Sequence, residues 1–274
     1  MLNRLKPDRW AFSLLELCVM VMVIGLLVAL LLPSFHTRHG YPPHAMEKIR
    51  VRGIHQSLLM FAQSNEGWYP GLSAEGEPLQ AGAVDGADES GAYPGVRYVI
   101  LMDGNYFHGD FAISPLDSGK TAWTTTAVPV STQHFSFSLL SLDRNWDGRI
   151  DRRELHSTER TTPDQSIGRV AEWRETLNAE APVMSSRNTG DDGADRVSSI
   201  HGDRNSGDWR GHVAWNDNRV SFETSPTLST RYAEGTGRAA DQSTGDHLFV
   251  DESGDAADDA AMVYQDGRTL VGQR

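Results

Sequence analysis

One cysteine, Cys18, is all the thiol chemistry available to the 274 residues. A single thiol excludes an intramolecular disulfide, and it excludes a zinc site built on several thiolates. Basic tracts are scarce as well. Lys and Arg total 25 against 37 Asp and Glu, for a formal net charge of -12. Recognition of a phosphate backbone requires a Lys/Arg-rich face, so this balance argues against a nucleic-acid partner. Catalytic signatures are absent too: the sequence has no His-Glu-x-x-His, no Gly-x-Ser-x-Gly and no phosphate-binding loop. Gly235-Thr236-Gly237-Arg238-Ala239-Ala240 has the glycine spacing of a dinucleotide turn but no apolar strand before it. His201, His212 and His247 stand among Asp and Ser, where structural or solvated roles account for them. The chain reads as a non-enzyme.

What the sequence does have is one long apolar run. Phe12–Leu32 is 21 residues with only two polar side chains, Ser13 and Glu16. As a helix it would rise about 31 Å, close to the roughly 30 Å hydrocarbon core of a bilayer. Arg4, Lys6 and Arg9 precede it, offset by Asp8, which favours a cytoplasmic N-terminus; Arg38, Lys48, Arg50 and Arg52 on the far side oppose that vote. The run exceeds the 7–15 residues of a secretory signal and ends in Leu-Leu-Leu-Pro, so it is expected to stay as an anchor. Glu16 is its one carboxylate, and an ionisable group in such a segment is by default functional.

The octapeptide Trp10-Ala11-Phe12-Ser13-Leu14-Leu15-Glu16-Leu17 resembles the prepilin cleavage and methylation motif of type IV pilins and type II secretion pseudopilins. In that family a small residue precedes a Phe that becomes the new N-terminus, and Glu is the fifth mature residue. Pro33 falls where pilins commonly carry a helix-interrupting proline. The resemblance implies cleavage between Ala11 and Phe12 by a prepilin peptidase, followed by methylation of the new amine. It also implies that Glu16 pairs with the N-terminal amine of a neighbouring pilin or pseudopilin subunit during assembly. Two departures stand out: Ala11 occupies the usual Gly position, and Gly40-Tyr41-Pro42-Pro43 should break a helix that many pilins continue. A plain signal anchor is the alternative reading of the N-terminus.

Beyond the anchor, His36, His39 and His44 form a juxtamembrane histidine group, read either as a solvated hinge or as a transition-metal site. Val51, Ile54, Leu58 and Phe61 recur at helical spacing and predict an amphipathic stem helix over 45–65. From Gly67 onward short apolar runs alternate with Gly-, Asp- and Ser-rich turns. The best strand or short-element candidates are 97–102, 135–142, 181–184, 212–215 and 219–222, the last two joined as a hairpin. The stretch Trp209–Val220, with Ala181–Met184 and His201 before it, resembles the C-terminal half of bacterial pseudopilin-like proteins. Asn218 and Arg219 stand where that hairpin usually carries Gly and His. The expected fold is α+β and pilin-like: a transmembrane helix and a stem helix packed on an antiparallel sheet with long loops. The expected organisation is a leader at 1–11, a transmembrane helix at 12–33, a hinge and stem at 34–66, and an exported domain at 67–274.

Asp143–Glu154 fits the 12-residue EF-hand calcium loop. Asp143, Asn145 and Asp147 supply oxygens at positions one, three and five, and Gly148 permits the turn at six. Arg149 offers its backbone carbonyl at seven, Asp151 acts at nine and Glu154 closes the shell at twelve. A hard cation needs six or more oxygens converging from a tight turn, which this spacing provides. A single such loop suits a structural Ca²⁺ site in a calcium-rich exterior. Asn188–Asp195 and Asp251–Asp259 also concentrate carboxylates and are candidates for a second site. The sequence thus points to a single-pass bacterial inner-membrane protein with a periplasmic or extracellular domain. It would serve as a pseudopilin-like structural subunit; the alternative is a monomeric, membrane-tethered calcium-binding protein that does not assemble.

Overall fold

A computed structural model describes residues 13–31, 42–80, 82–85, 91–124, 128–142, 168–189, 197–202, 208–232, 243–249 and 262–264. The chain divides into two compact units, Met1–Pro42 and Pro43–Arg274.

In the first unit, helix α1 spans Leu14–Leu31 and contains a single carboxylate, Glu16, in its first turn. Its 18 residues rise about 27 Å, less than the expected 12–33 span would. Among the described residues no helix is long and apolar enough to cross a membrane. Phe12, Leu32 and Pro33 lie outside the described residues.

The second unit is a mixture of helix and antiparallel sheet. Helix α2 (Pro43–Ala62) starts on proline, which is tolerated in a first turn because its missing N–H would have no intrahelical partner there. Its buried stripe is Glu47, Val51, Ile54, Leu58 and Ala62, with Phe61 half-buried at the margin. The strands are β1 (Phe137–Leu140), β2 (Pro182–Ser186), β3 (Gly211–Trp215), β4 (Val220–Glu223) and, near the C-terminus, β7 (Met262–Val263). They pair antiparallel in the order β4-β3-β2-β1-β7. Strands β5 (Thr227–Thr230) and β6 (Ser243–His247) form a separate antiparallel pair.

Cross-strand pairing fixes which side chains share a face. Phe137 opposes Ser186, Leu139 opposes Met184, Met184 opposes Ala214, and His212 opposes Phe222. These residues therefore form one face, and α2 packs across β2, β3 and β4 on it. Every residue of β1, β2 and β3 is buried, so the sheet is covered on both faces.

The segment 97–102, read from sequence as a strand or short element, belongs to helix α3 (Pro94–Asp103). An apolar run of this length has no decisive periodicity, and its flanks decide: Pro94 opens the helix after an extended Tyr93, and Gly104 caps it. Arg97 in α3 is fully buried, and among the described residues it has no carboxylate partner. Its guanidinium donates to the carbonyls of Gly91 (3.2 Å), Leu140 (2.6 Å) and Ala92, and lies 4.8 Å from the Trp173 ring centroid. Burial lowers its pKa to about 9.

The expected hairpin is β3–β4. Its turn closes with Trp215 N–H donating to the Arg219 carbonyl (2.9 Å) and Asn218 N–H to the Trp215 carbonyl (3.0 Å). Asn218 has φ 66°, the left-handed region that Gly and then Asn occupy most readily, which explains how Asn serves where Gly is usual. Asn216, two residues earlier, is fully buried. Its Oδ1 accepts from Tyr69 Oη (2.7 Å), while Nδ2 faces the carbonyls of Glu172 (2.8 Å) and Arg174 (2.9 Å), Thr176 Oγ1 (2.7 Å) and Glu172 Oε2 (2.9 Å). Glu172 closes the short helix α4 (Gly168–Glu172). One side chain thereby ties the hairpin both to Tyr69 and to the 172–176 segment.

Candidate functional site

Near its N-terminal end α2 carries a carboxylate into the core. Glu47 lies four residues before Val51, so the helical period that buries Val51, Ile54 and Leu58 buries Glu47 as well. The sheet face beneath it contributes Ser186 from β2 and His212 from β3. The segment 197–202 contributes His201, held by a bridge between Asn188 and Ser199. Two side chains fix that segment: Asn188 Oδ1 accepts from Ser198 N–H (2.9 Å), and Ser199 Oγ accepts from His201 N–H (2.9 Å) while donating to the Arg210 carbonyl.

The geometry is compact. Glu47 Oε1 lies 3.0 Å from His201 Nε2 and 3.6 Å from His212 Nδ1, and accepts from Ser186 Oγ at 2.6 Å. Its Oε2 accepts from Ser114 Oγ at 2.9 Å. Ser186 Oγ also accepts from the backbone N–H of His212 (2.9 Å), locking strand and carboxylate together. The side chains of Glu47 and His201 are wholly buried, that of His212 nearly so. Burial alone would push the Glu47 carboxyl up. The imidazoles of His201 and His212 together with Ser186 more than offset this and hold it down at about 2. The group is therefore a buried carboxylate anion.

His201 continues outward to His44. Their Nδ1 atoms are 2.9 Å apart and the rings stack with centroids at 5.0 Å. His44, Lys48, Arg210, His212 and Phe222 line an open cleft of about 500 Å³ with His201 at its wall. Phe222 presents its ring edge-on to His44, His201 and His212. Among the described residues, His212 Nδ1 is buried without a hydrogen-bond partner. Glu47, His201 and His212 each offer one donor atom, all within 4.8 Å of one another, so the trio could hold a metal ion.

Most residues singled out from sequence lie elsewhere. Glu16 is exposed in α1, its N–H donating to the Ser13 carbonyl (2.9 Å). Ala11 and Phe12 lie outside the described residues, as does the whole calcium loop: Asp143, Asn145, Asp147, Arg149, Asp151 and Glu154. The segments 190–195, 251–259 and 235–240 lie outside them too. Of the scattered histidines, the structure brings His44, His201 and His212 together. His247 takes no part in the cluster; its Nδ1 accepts from Phe249 N–H at 3.2 Å and its ring packs edge-on to Phe249. Sequence reasoning missed Glu47 because the stem-helix stripe was begun at Val51. The missed signal is a carboxylate in phase with an apolar stripe. Nitrogen donors make the trio a poor calcium site, so it does not stand in for the expected Ca²⁺. Comparison of the chain with protein-family models, with curated proteins and with solved structures gives no match.

Proposed function

We propose that this chain is a membrane-anchored, pseudopilin-like structural subunit of a type II secretion or type IV filament assembly. It has no catalytic role. In this reading a prepilin peptidase cuts between Ala11 and Phe12, α1 becomes the anchor, Glu16 pairs with the N-terminal amine of a neighbouring subunit, and Ca²⁺ at Asp143–Glu154 stabilises an exported domain.

The observation that carries the reading is the surface of α1. Twelve large apolar side chains between Leu14 and Val28 are exposed, from 81% for Leu14 to 47% for Val28. They occupy every side of the helix, so α1 has no polar face and is not an amphipathic helix that rests on a membrane surface. Covering them is worth on the order of 20 kcal/mol at about 1.5–3 kcal/mol per side chain. Lipid or other apolar helices supply such a cover. The length argument rests on the sequence: the apolar run Phe12–Leu32, of which α1 is the described part, matches the roughly 20 residues a bilayer span needs. Glu16 gives the helix a single site for a charge pair, tolerable in lipid when it meets an amine. The α2-on-antiparallel-sheet arrangement is compatible with the same reading.

The test is the native N-terminus. Sequencing of the protein purified from its host membrane is expected to begin at Phe12 with a methylated amine; an intact Met1 refutes the processing step. Glu16→Ala is expected to abolish crosslinks between neighbouring α1 helices while leaving the unfolding of the second unit unchanged. Normal crosslinking of that variant refutes the pairing.

A further inference from the structure

We infer that Glu47, His201 and His212 form a binding site for a divalent late-transition-metal ion of the zinc type, with His44 as the positioning partner of His201. The site goes beyond the assembly role and stands whether or not the chain assembles.

Four observations converge on it. First, the three donors come from three separate parts of the fold, α2, the 197–202 segment and β3, yet their ligand atoms lie within 4.8 Å of one another. In a tetrahedral zinc site with bonds of about 2.0–2.1 Å, neighbouring ligand atoms stand roughly 3.3 Å apart. The two Glu47 distances, 3.0 and 3.6 Å, bracket that value. Second, among the described residues His212 Nδ1 is buried without a hydrogen bond, standing 3.6 Å from the same carboxylate oxygen. A hydrogen-bonded pair of Glu47 and His201 does not use this nitrogen; a bound ion does.

Third, the surroundings are those of a ligand set held in place. Ser114 and Ser186 orient both oxygens of Glu47, and the contact of His201 Nδ1 with His44 Nδ1 at 2.9 Å leaves Nε2 of His201 for the ion. A metal-bound imidazole ordinarily donates its second N–H to such a partner, which fixes its tautomer. Fourth, His201 and His212 line an open cleft. An ion held by three protein ligands keeps a position for water or an anionic ligand there, and Lys48 and Arg210 supply positive charge beside it. Two imidazoles and one carboxylate select zinc, cobalt, nickel or ferrous iron over calcium or magnesium.

The experiment uses the full-length chain in detergent, stripped with a chelator and titrated with Co²⁺. The expected result is one Co²⁺ per chain with the intense visible bands of four- or five-coordinate cobalt. Zn²⁺ should displace it and excess Ca²⁺ should not. His212→Gln and Glu47→Gln are expected to weaken binding at least 100-fold. His44→Gln, at an exposed position, should weaken it 10–100-fold, as loss of an outer hydrogen-bond partner does. Asp143→Ala with Glu154→Ala should leave the cobalt spectrum unchanged. If Glu47→Gln does not fold, X-ray absorption of the zinc-loaded wild type decides: imidazole scattering from two histidines supports the site, and an oxygen-only shell overturns it. Failure to take up Co²⁺, a weak octahedral spectrum, or a spectrum indifferent to His212→Gln also overturns it.

Discussion

Replacing Asn216 with alanine removes the side chain through which the β3–β4 hairpin grips the rest of the second unit. The amide nitrogen has two protons and faces four acceptors at 2.7–2.9 Å, so it makes two strong bonds shared among them, while Oδ1 takes the Tyr69 hydroxyl at 2.7 Å. Three hydrogen bonds are therefore lost, one shared with the Glu172 carboxylate. At about 1 kcal/mol for a neutral bond and 1.5–3 for one to a charged group, the sum is about 3–5 kcal/mol. Part of that loss is the penalty of leaving Tyr69 Oη buried and unpaired, since Tyr69 is fully buried and burial raises its pKa, keeping it a neutral donor. Against a typical domain stability of about 5–15 kcal/mol this is a large fraction.

The assay is urea unfolding followed by tryptophan fluorescence, because Trp173 stacks edge-on to Tyr69 at 5.3 Å and reports on the same locus. Tyr69→Phe should cost about 1 kcal/mol. The double variant should cost less than the sum of the two single variants, because they share one bond. Asn216→Asp should destabilise at least as much as alanine near neutral pH, since it sets a carboxylate against Glu172 and two carbonyls. A loss below about 1 kcal/mol for Asn216→Ala, or strict additivity with Tyr69→Phe, would refute the idea that this amide clamps the hairpin.

Two further outcomes are expected. Lys120 is depressed to about 8 by burial and by nearby Arg187, against the pull of Asp117; its ammonium also contacts Tyr264 and the Thr132 carbonyl. Above about pH 8 the folded chain has shed a proton that the unfolded chain still holds, so the Lys120 contribution to stability rises with pH towards the ordinary lysine value. Urea midpoints should show this rise between about pH 8 and 9.5 in the wild type and lose it in Lys120→Met; an identical pH slope in both proteins refutes the assignment. For the calcium loop, titration calorimetry of the full chain should give saturable Ca²⁺ binding with a dissociation constant in the range of about 10⁻⁴–10⁻³ M. Asp143→Ala with Glu154→Ala should abolish it, and binding that survives this pair of changes places the ion elsewhere.

By itself the sequence determined what local pattern can determine. The apolar stripe Val51, Ile54, Leu58 is enough to place α2, because helical period alone decides which face is buried. The turn residues Asn216–Arg219 between two short apolar runs are enough to place the β3–β4 hairpin, because strand pairing across a short turn is a local event. The run around Glu16 carried the expectation of an anchor for the same reason: length and hydropathy are properties of a segment.

The assignment of 97–102 to a helix needed its flanks, Pro94 and Gly104, more than its own apolar residues. Only the tertiary structure decided the cluster. His44, Glu47, His201 and His212 are spread from position 44 to position 212 of the sequence, and no periodicity relates them. What joins them is the packing of α2 across β2 and β3, which brings Glu47 over Ser186 and His212 and leaves His201 to close the side. Scattered histidines in a polar sequence carry no mark of this. The geometry of such a cluster is set by where side chains end in space, and in this chain that is a consequence of how α2 and the 197–202 segment pack against the sheet.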